Sequence, residues 1–583
     1  MGSVDMAELF SRVGEELRTQ EGSRIHRQLR EATSGSGRLA ALLQLSAMAE
    51  ATPQGPGRLD KSRPAATEWL LRERDAGSDQ ERLALLNLAV QFAPTPGSEE
   101  QQPLELRDHG QTLTAALLRR QHVLHGCGRP EDRAANALYL RQLRDVLPEA
   151  TSKKFERELE SVLAAADEQP AADEERPFKL PKIYGGLHYK LKRTSALVNP
   201  AYVEGKGRCL VANEDIPPGS VLITDSPYAW ALGSDRWQTH CQNCCRRTLA
   251  PVPCTQCAAV VFCSAGCRQA AWSRFHRAEC GILEHLRGGG LTPMALMVAR
   301  TALTAGMARL RPYLARCDSY DITDVDPAAV YDSLEYDAVF DQVPNSAFRS
   351  ILDAIRRGTL AIYLLRCLLL TELAAPPAEL DERQQLQLAA LLLRHLESCA
   401  CNGFQLSELV PAEELGRDAD DEPEAVELGG AVSATMSLIN HSCDPNMTRV
   451  NHGRHLIAVT TRTVAAGEEL QDNYRALFHE APRAVRQAAL LERYHFNCQC
   501  SACRLHWPMY DRLSAVAPRA AVRDLLETGA QSESDGEFRS AAQAFAAAAQ
   551  LVEADHDDPL QPNRLLVDCQ GYLTRCLWLA YRL

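Results

Sequence analysis

Between Cys241 and Cys280, eight residues stand at metal-ligand spacing: Cys241-x2-Cys244, Cys254-x2-Cys257, Cys263-x3-Cys267 and His276-x3-Cys280. No other feature restricts the folding of this chain as strongly. A segment this short cannot bury a core of its own, so its folding free energy must come from bound metal. Thiolates and imidazole in sets of four close a tetrahedral zinc site, and four pairs make two such sites. Cys245 abuts Cys244 and could replace it, although the x2 spacing favours Cys244. A second cluster, Cys498-x-Cys500-x2-Cys503, offers three thiolates and needs a fourth ligand from elsewhere. Cys443, in the string NHSCDPN, is the candidate.

The same pairs would read as disulfides in an exported chain. The first residues, MGSVDMAELF, carry Asp5 and Glu8 and no basic stretch ahead of an apolar one, so no secretory signal is expected. Met6 stands where N-myristoylation needs Ser or Thr. Arg366 interrupts the best apolar run, 360–370, well short of the roughly 18 uncharged residues of a membrane span. Cys127, Cys317, Cys367, Cys399, Cys569 and Cys576 have apolar or helical neighbours and read as buried free thiols. A hydrophobic fraction of 45% with 24% charged residues excludes a mostly disordered chain. Its 583 residues suggest about three or four domains. The net charge of −13 argues against a general nucleic-acid binder and suits basic protein substrates.

Hydrophobic periodicity divides the chain. Residues 39–51, 67–94 and 113–148 repeat apolar positions at helical spacing, the last two as paired helices ending at Pro94 and Pro148. Their mid-thirties unit length suggests degenerate tetratricopeptide-like repeats; an irregular helical bundle is the alternative. Stretches 52–64 and 167–177 read as linkers. From about Leu187 short strands alternate with Gly and Pro turns. A long helical stretch is expected from Met294 to Glu397, and strands return near Val432–Ile439 and His455–Thr463, with AAGEEL as a turn. After Trp507 helices resume, and SDGEFRSAAQAFAAAAQLVEADHDD reads as one more helix pair. The sequence stops inside an apolar helix, so a C-terminal array is expected to be incomplete here.

The string Asn440-His441-Ser442-Cys443-Asp444-Pro445-Asn446 alone says only that polar groups meet a tight loop. Together with Gly205-Lys206-Gly207-Arg208, Gly467-Glu468-Glu469-Leu470, Tyr474 and the C-x-C-x2-C tail, it resembles a SET domain. The cysteine ladder, with Trp272 and Phe275 beside it, resembles the MYND zinc finger. The order is that of the SET and MYND domain-containing protein-lysine methyltransferases, in their longer, tetratricopeptide-bearing branch. The strong motifs cover roughly 190–505.

The resemblance implies a multidomain α+β protein: a SET-type β core with an inserted MYND zinc finger and helical insert, flanked by α-helical, tetratricopeptide-like regions. The implied boundaries are 1–175 (N-terminal helical), 187–240 (first SET part), 241–280 (finger), 285–400 (helical insert), 401–480 (SET core), 490–506 (post-SET zinc segment) and 508–583 (C-terminal helical). It pairs Cys241, Cys244, Cys263 and Cys267 on one zinc, and Cys254, Cys257, His276 and Cys280 on another. A third zinc would take Cys443, Cys498, Cys500 and Cys503. It implies methyl transfer from S-adenosylmethionine to a lysine of histone or non-histone proteins. Lys206, Gly207 and Arg208 match the cofactor loop, Asn402 an asparagine near the methionine portion, and Asn440 with His441 the pair holding the amino-acid and adenine parts. Tyr474 matches the catalytic tyrosine, Tyr494 a second one at the lysine channel, and Phe496 the adenine contact. Cys209 stands where the family loop usually continues with Gly; its Cβ and sulfur would crowd the cofactor or demand another backbone angle. Glu335 and Asp337 are weaker contacts in the insert.

Lysine occurs at 61, 153, 154, 179, 182, 190, 192 and 206 and nowhere later, so an acceptor lysine must come from another protein or from the N-terminal third. The implied partners are protein substrates with an accessible lysine and peptide segments for the finger and helical repeats, with no direct nucleic acid and no membrane. Cytoplasm and nucleus are the expected compartments. The rival reading is a weakly active or inactive scaffold that recruits partners through the finger and repeats.

Overall fold

The computed structural model describes residues 5–32, 34–45, 47–48, 51–53, 59–93, 106–126, 130–144, 157, 160–161, 180–288, 291–317, 331–374, 380–410, 412, 417–418, 423–555 and 562–581. Cys127, Pro94, Pro148, the acidic stretch 167–177 and part of 52–64 lie outside the described residues. The chain forms two compact units.

The first unit comprises 1–179, 231–318 and 354–393. It opens with helices α1 (Met6–Glu16), α2 (Gln20–Glu31) and α3 (Gly35–Leu42), followed by α4 (Arg63–Arg72), α5 (Asp79–Phe92), α6 (Leu106–Gly126) and α7 (Pro130–Arg144). Their starts are set locally. Ser78 accepts the Glu81 N–H while the Glu81 carboxylate takes the Gly77 N–H, a reciprocal arrangement at the head of α5; removing such a cap costs about 1 kcal/mol. From α4 to α7 each helix packs on the next in sequence, and Ala66, Ala89, Val90, Leu113, Leu117 and Leu140 close one core.

The cysteine-rich segment contributes a short hairpin, β5 (Val252–Pro253) with β6 (Val261–Phe262), and helix α8 (Ala265–Ala271). Past α8 the helix widens to a π-type turn over Trp272–His276. After α9 (Leu283–Gly288) comes α10 (Pro293–Leu314). The continuous helical stretch expected from Met294 is broken within α10: Gly306 sits at φ +71° and ψ 158°, a conformation that only glycine adopts without strain. Cys367 is buried and Cys317 half-buried, and neither is joined in a disulfide among the described residues.

The second unit comprises 180–230, 319–353 and 394–583. Strands β1 (Val198–Val203) and β2 (Gly207–Ala212) form an antiparallel hairpin, with Ala201 opposite Cys209. β3 (Val221–Asp225) joins β10 (Met447–His452) and β11 (His455–Thr460) in the order β10-β11-β3. β7 (Gly403–Val410) and β8 (Glu424–Val432) form a long hairpin, and Tyr228, just before β4 (Ala229–Leu232), donates its N–H to the Val432 carbonyl. β9 (Asn440–His441) runs parallel to β12 (Gln471–Asp472), pairing Asn440 with Gln471 and His441 with Asp472.

The strand expected over Val432–Ile439 ends at Val432. Ser433 Oγ accepts the Met436 N–H, Ser333 Oγ accepts the Thr435 N–H, and the Ser433 and Ser333 hydroxyls both donate to buried Asp225. Side chains that serve as local backbone partners turn the chain here instead of extending it. Helix α11 (Tyr336–Phe340), the ends of α12 (Ile351–Leu369) and α13 (Glu382–Asn402), α14 (Arg483–Tyr494) and the short α15 (Ser501–Arg504) complete the site-bearing part. At the end, α16 (Ala520–Ser534) packs on α17 (Phe538–Ala554), and α17 on α18 (Arg564–Ala580). The stretch read as a helix pair from SDGEF onward holds one described helix, α17; SDGEF is the turn that joins α16 to it, with Gly536 at φ +76°. Cys399, Cys569 and Cys576 are buried thiols.

Candidate metal centres and active site

The structure gathers the twelve expected ligands into three groups of four. They are Cys241, Cys244, Cys263 and Cys267; Cys254, Cys257, His276 and Cys280; and Cys443, Cys498, Cys500 and Cys503. Within each, the ligand atoms all lie within 4.8 Å of one another. Thiolates about 2.3 Å from a tetrahedral zinc are separated by about 3.8 Å. Cys244 and Cys263 Sγ lie 3.6 Å apart, Cys257 Sγ and His276 Nε2 3.8 Å, and Cys443 and Cys503 Sγ 3.6 Å. Both the sizes and the donor sets suit zinc. Cys245, held at φ +62°, belongs to none of the groups. Hydrogen bonds from Cys241, Cys257 and Cys443 hold Cys244, Cys254 and Cys500, respectively, well below the usual thiol range. Within each group the neighbouring thiols thus favour deprotonation of one cysteine, and the thiolate is the form that binds metal.

Two buried side chains that the sequence did not reveal support the second group. His276 Nδ1–H donates to Glu279 at 3.2 Å, which leaves Nε2 facing Cys257. Glu279 accepts two hydrogen bonds of 2.8 Å from Arg300, a residue of α10. Burial pushes the Glu279 carboxyl up, but Arg300 and His276 outweigh it and hold it at about 2. The position of Glu279, three residues after His276, was the available clue; nothing in the sequence marked Arg300.

The finger's main chain is also gripped by the N-terminal helices. Gln91 donates to the Ala258 carbonyl at 2.8 Å, Arg120 to Pro251 at 2.9 Å and Asn87 to Leu249 at 3.1 Å. Asp132 accepts the Leu249 N–H, and the Leu59 carbonyl the Ala258 N–H.

In the second unit the residues expected to form the cofactor loop converge on the NHSC segment. Gly205 and Gly207 hold φ of +77° and +84°, and a Cβ on either would meet no protein atom. The glycine requirement thus falls on these two positions. Cys209 is an ordinary buried strand residue without positive φ, so the expected backbone conflict does not arise. Asn440 Nδ2 donates to the Arg208 carbonyl at 3.4 Å and to Glu469 at 2.8 Å; Lys206 pairs with the same carboxylate at 2.7 Å. Arg208 donates one terminal nitrogen, Nη2, to the Asp341 carbonyl at 2.6 Å and lies 5.9 Å from the Tyr331 ring. Its other terminal nitrogen, Nη1, is buried without a hydrogen-bond partner among the described residues. A buried guanidinium donor left over beside open glycine backbone suits an anionic ligand group, such as the carboxylate of S-adenosylmethionine.

The rings close around this site. Tyr474 N–H donates to His441 Nδ1 at 3.0 Å, and the Tyr474 hydroxyl to the Ile439 carbonyl at 2.6 Å. Tyr474 and Tyr494 rings are 4.9 Å apart, and Phe496 lies 6.0 Å from His441. Burial raises the Tyr474 hydroxyl above its ordinary range and pushes His441 down to about 4, so both are neutral near pH 7. Asn402 spends its amide on the Val343 and Ser398 carbonyls, both at 2.9 Å. In the insert, Tyr331 and the Asp341 carbonyl meet Arg208, while Glu335 stands at the N-cap of α11 and Asp337 in its first turn. Arg486, buried among the post-SET thiols, donates to the Phe478 and Ala481 carbonyls and lies 3.7 Å from Cys503 Sγ.

Residues 207–475, which include Arg208, Asn440, His441 and Tyr474, match the SET domain family. The cysteine groups inserted in that span match the finger's pairing. The SET match, the cysteine groups and the relatives below support the SET and MYND domain-containing family. The chain is 25% identical over 494 residues to protein-lysine N-methyltransferase SMYD4 of Homo sapiens, covering 71% of this chain and 59% of that protein. It is 24% identical over 299 residues to histone-lysine N-methyltransferase SMYD3 of Mus musculus, covering 51% and 59%. SET domain and MYND-type zinc finger protein 6 of Schizosaccharomyces pombe is 23% identical over 297 residues, covering 51% and 50%. The chain thus spans about half to six-tenths of the length of these curated relatives. No described helix is long and apolar enough to cross a membrane.

Proposed function

We propose that this chain is a protein-lysine N-methyltransferase that uses S-adenosylmethionine, with three zinc ions holding its finger and post-SET segment. The observation that carries the reading is the Arg208–Asn440–His441–Tyr474 constellation, with its unpartnered buried guanidinium nitrogen and its paired tyrosine rings. S-adenosylmethionine, when bound, supplies a methyl group already activated on a sulfonium sulfur, so no nucleophilic side chain is required.

The protein's task is then one of positioning. Lys206, Gly207, Arg208, Asn402, Asn440, His441 and Phe496 are the residues that would hold the cofactor. Glu469 orients two of them, through Asn440 Nδ2 and Lys206 Nζ. The Tyr474 hydroxyl donates to the Ile439 carbonyl, which leaves its oxygen lone pairs to accept from the incoming lysine amine. Tyr494 and Phe496 wall the same space and exclude water. An amine entering it loses hydration and shifts toward the neutral, nucleophilic form.

The acceptor is a lysine of another protein, histone or non-histone, or of the N-terminal third. The helix pairs at both ends are read as tetratricopeptide-like, and they and the free side of the finger as surfaces for peptide partners. Cytoplasm and nucleus are the proposed compartments. Calorimetry with S-adenosylmethionine, followed by methyl transfer from labelled cofactor to a protein array, tests the reading. Binding with transfer supports the enzyme. No binding would favour the scaffold.

A further inference from the structure

We infer that Arg300 and Glu279 form a buried link that couples the two metal sites of the finger, so that loading one site strengthens the other. This rests on the zinc reading above. The link can be followed atom by atom. His276, a ligand of the second group, donates Nδ1–H to Glu279 at 3.2 Å. Glu279 accepts Arg300 Nε and Nη2, each at 2.8 Å. Arg300 Nη2 also donates to Gln242 Oε1 at 3.0 Å. Gln242 directly follows Cys241 of the first group, and its N–H donates to the Val261 carbonyl at 3.0 Å, two residues before the ligand Cys263.

The chain of contacts is sealed from water: Gln242, His276 and Glu279 are 0% exposed and Arg300 is 1% exposed. The Arg300 guanidinium also lies 4.2 Å from the Phe275 ring, which fixes its plane. A planar guanidinium with two bonds to Glu279 and one to Gln242 has little freedom to adjust one end without moving the other. Loss of metal from the first group frees the Cys241–Gln242 loop. Arg300 then loses one of its partners and holds Glu279, and through it the His276 imidazole, less firmly. The partner of a ligating histidine is worth about 10- to 100-fold in metal affinity. Arg300 comes from α10, outside the Cys241–Cys280 segment, so the link also makes the finger's metal affinity depend on that helix.

The test is a double-mutant cycle on the full chain, read by chelator competition. Cobalt substitution distinguishes the second site, with three thiolates and an imidazole, from the all-thiolate first site by its absorption. Cys241→Ser removes the first site, and zinc affinity at the second is measured with and without Arg300→Met. In the otherwise native chain, Cys241→Ser should weaken the second site about tenfold, within the range expected for such supports. In the Arg300→Met background it should change the second site little. Gln242→Ala, which cuts the link at its far end and leaves every ligand in place, should reduce the coupling while both sites still fill. It serves if Arg300→Met does not fold. Equal losses in both backgrounds, or full coupling retained in Gln242→Ala, would overturn the link while leaving the zinc reading intact. A folded protein that binds no zinc or cobalt would overturn both.

Discussion

The backbone N–H of Tyr474 donates to Nδ1 of His441 at 3.0 Å, so the residue expected to meet the lysine fixes the tautomer of the residue expected to hold the cofactor. With Nδ1 accepting, the imidazole proton sits on Nε2, 3.4 Å from Cys443 Sγ. One ring therefore joins the tyrosine to the post-SET thiolates. Cys443→Ser should lower zinc content by one ion per chain and weaken cofactor binding and methyl transfer together, because outer supports orient the groups in contact. Elemental analysis beside calorimetry checks this. Full zinc content with normal cofactor affinity would make Cys443 a buried thiol only.

Tyr474→Phe separates catalysis from binding. It removes the hydroxyl bonded to the Ile439 carbonyl but leaves the backbone bond to His441 untouched. Turnover should fall about 10²-fold or more, as when a transition-state hydroxyl is lost. Cofactor affinity should stay nearly constant. Parallel loss of both would assign Tyr474 a structural role, and loss of neither would shift the role to Tyr494.

Glu469→Gln addresses a residue whose motif was visible and whose task was not. Its carboxylate accepts from Asn440 and pairs with Lys206, 263 positions away in sequence. Neutralising it should leave Lys206 unpaired and Asn440 free to rotate, weakening S-adenosylmethionine binding about tenfold. Calorimetry measures this directly. Unchanged affinity would show that Lys206 and Asn440 are held in place by other contacts.

The candidate metal-binding cysteines were legible from their spacing and their division into groups from the resemblance, while a three-thiolate set asked for a fourth member such as Cys443. The rest depended on contacts that no short string encodes. Arg300 and Arg486 lie in helical segments where an arginine usually faces solvent; only the fold shows them turned inward onto carboxylate, carbonyl and thiolate. The turn at Ser433–Leu438 reads as strand in sequence, while Ser433 Oγ bonds the Met436 N–H and Asp225, and Ser333 Oγ takes the Thr435 N–H. No string in the sequence ties the helical flank to the finger, yet Asn87, Gln91 and Arg120 spend their polar groups on finger carbonyls.

That last arrangement changes what zinc loss should do. From the cysteine spacing alone, Cys257→Ser should unfold the finger and spare the helices. With Ala258, beside Cys257, bonded to both Gln91 and Leu59, loosening the finger strips partners from buried polar groups of α5 and α6. Each unmet buried partner costs about 1–3 kcal/mol. Hydrogen exchange should therefore quicken across α5 and α6 as well as through the finger. Protection retained in α5 would show that the helices stand alone.

A final prediction concerns pH and a buried histidine of α13. His395 on α13 is 2% exposed, and its Nε2 lies 2.7 Å from the Tyr336 hydroxyl. Burial, with the neighbouring Arg394 guanidinium, lowers its pKa to about 3. An unfolded histidine titrates near 6.5, so between about pH 6.5 and 3 the unfolded chain binds a proton that the folded chain refuses. Stability from this group is present above about pH 6.5 and falls as pH drops through that window, by up to about 1.4 kcal/mol per pH unit. His395→Gln keeps an acceptor for the Tyr336 hydroxyl and cannot titrate. Denaturant unfolding at several pH values should show a shallower acid loss in the variant than in the native chain. Identical pH slopes would mean that His395 titrates alike in the folded and unfolded chain.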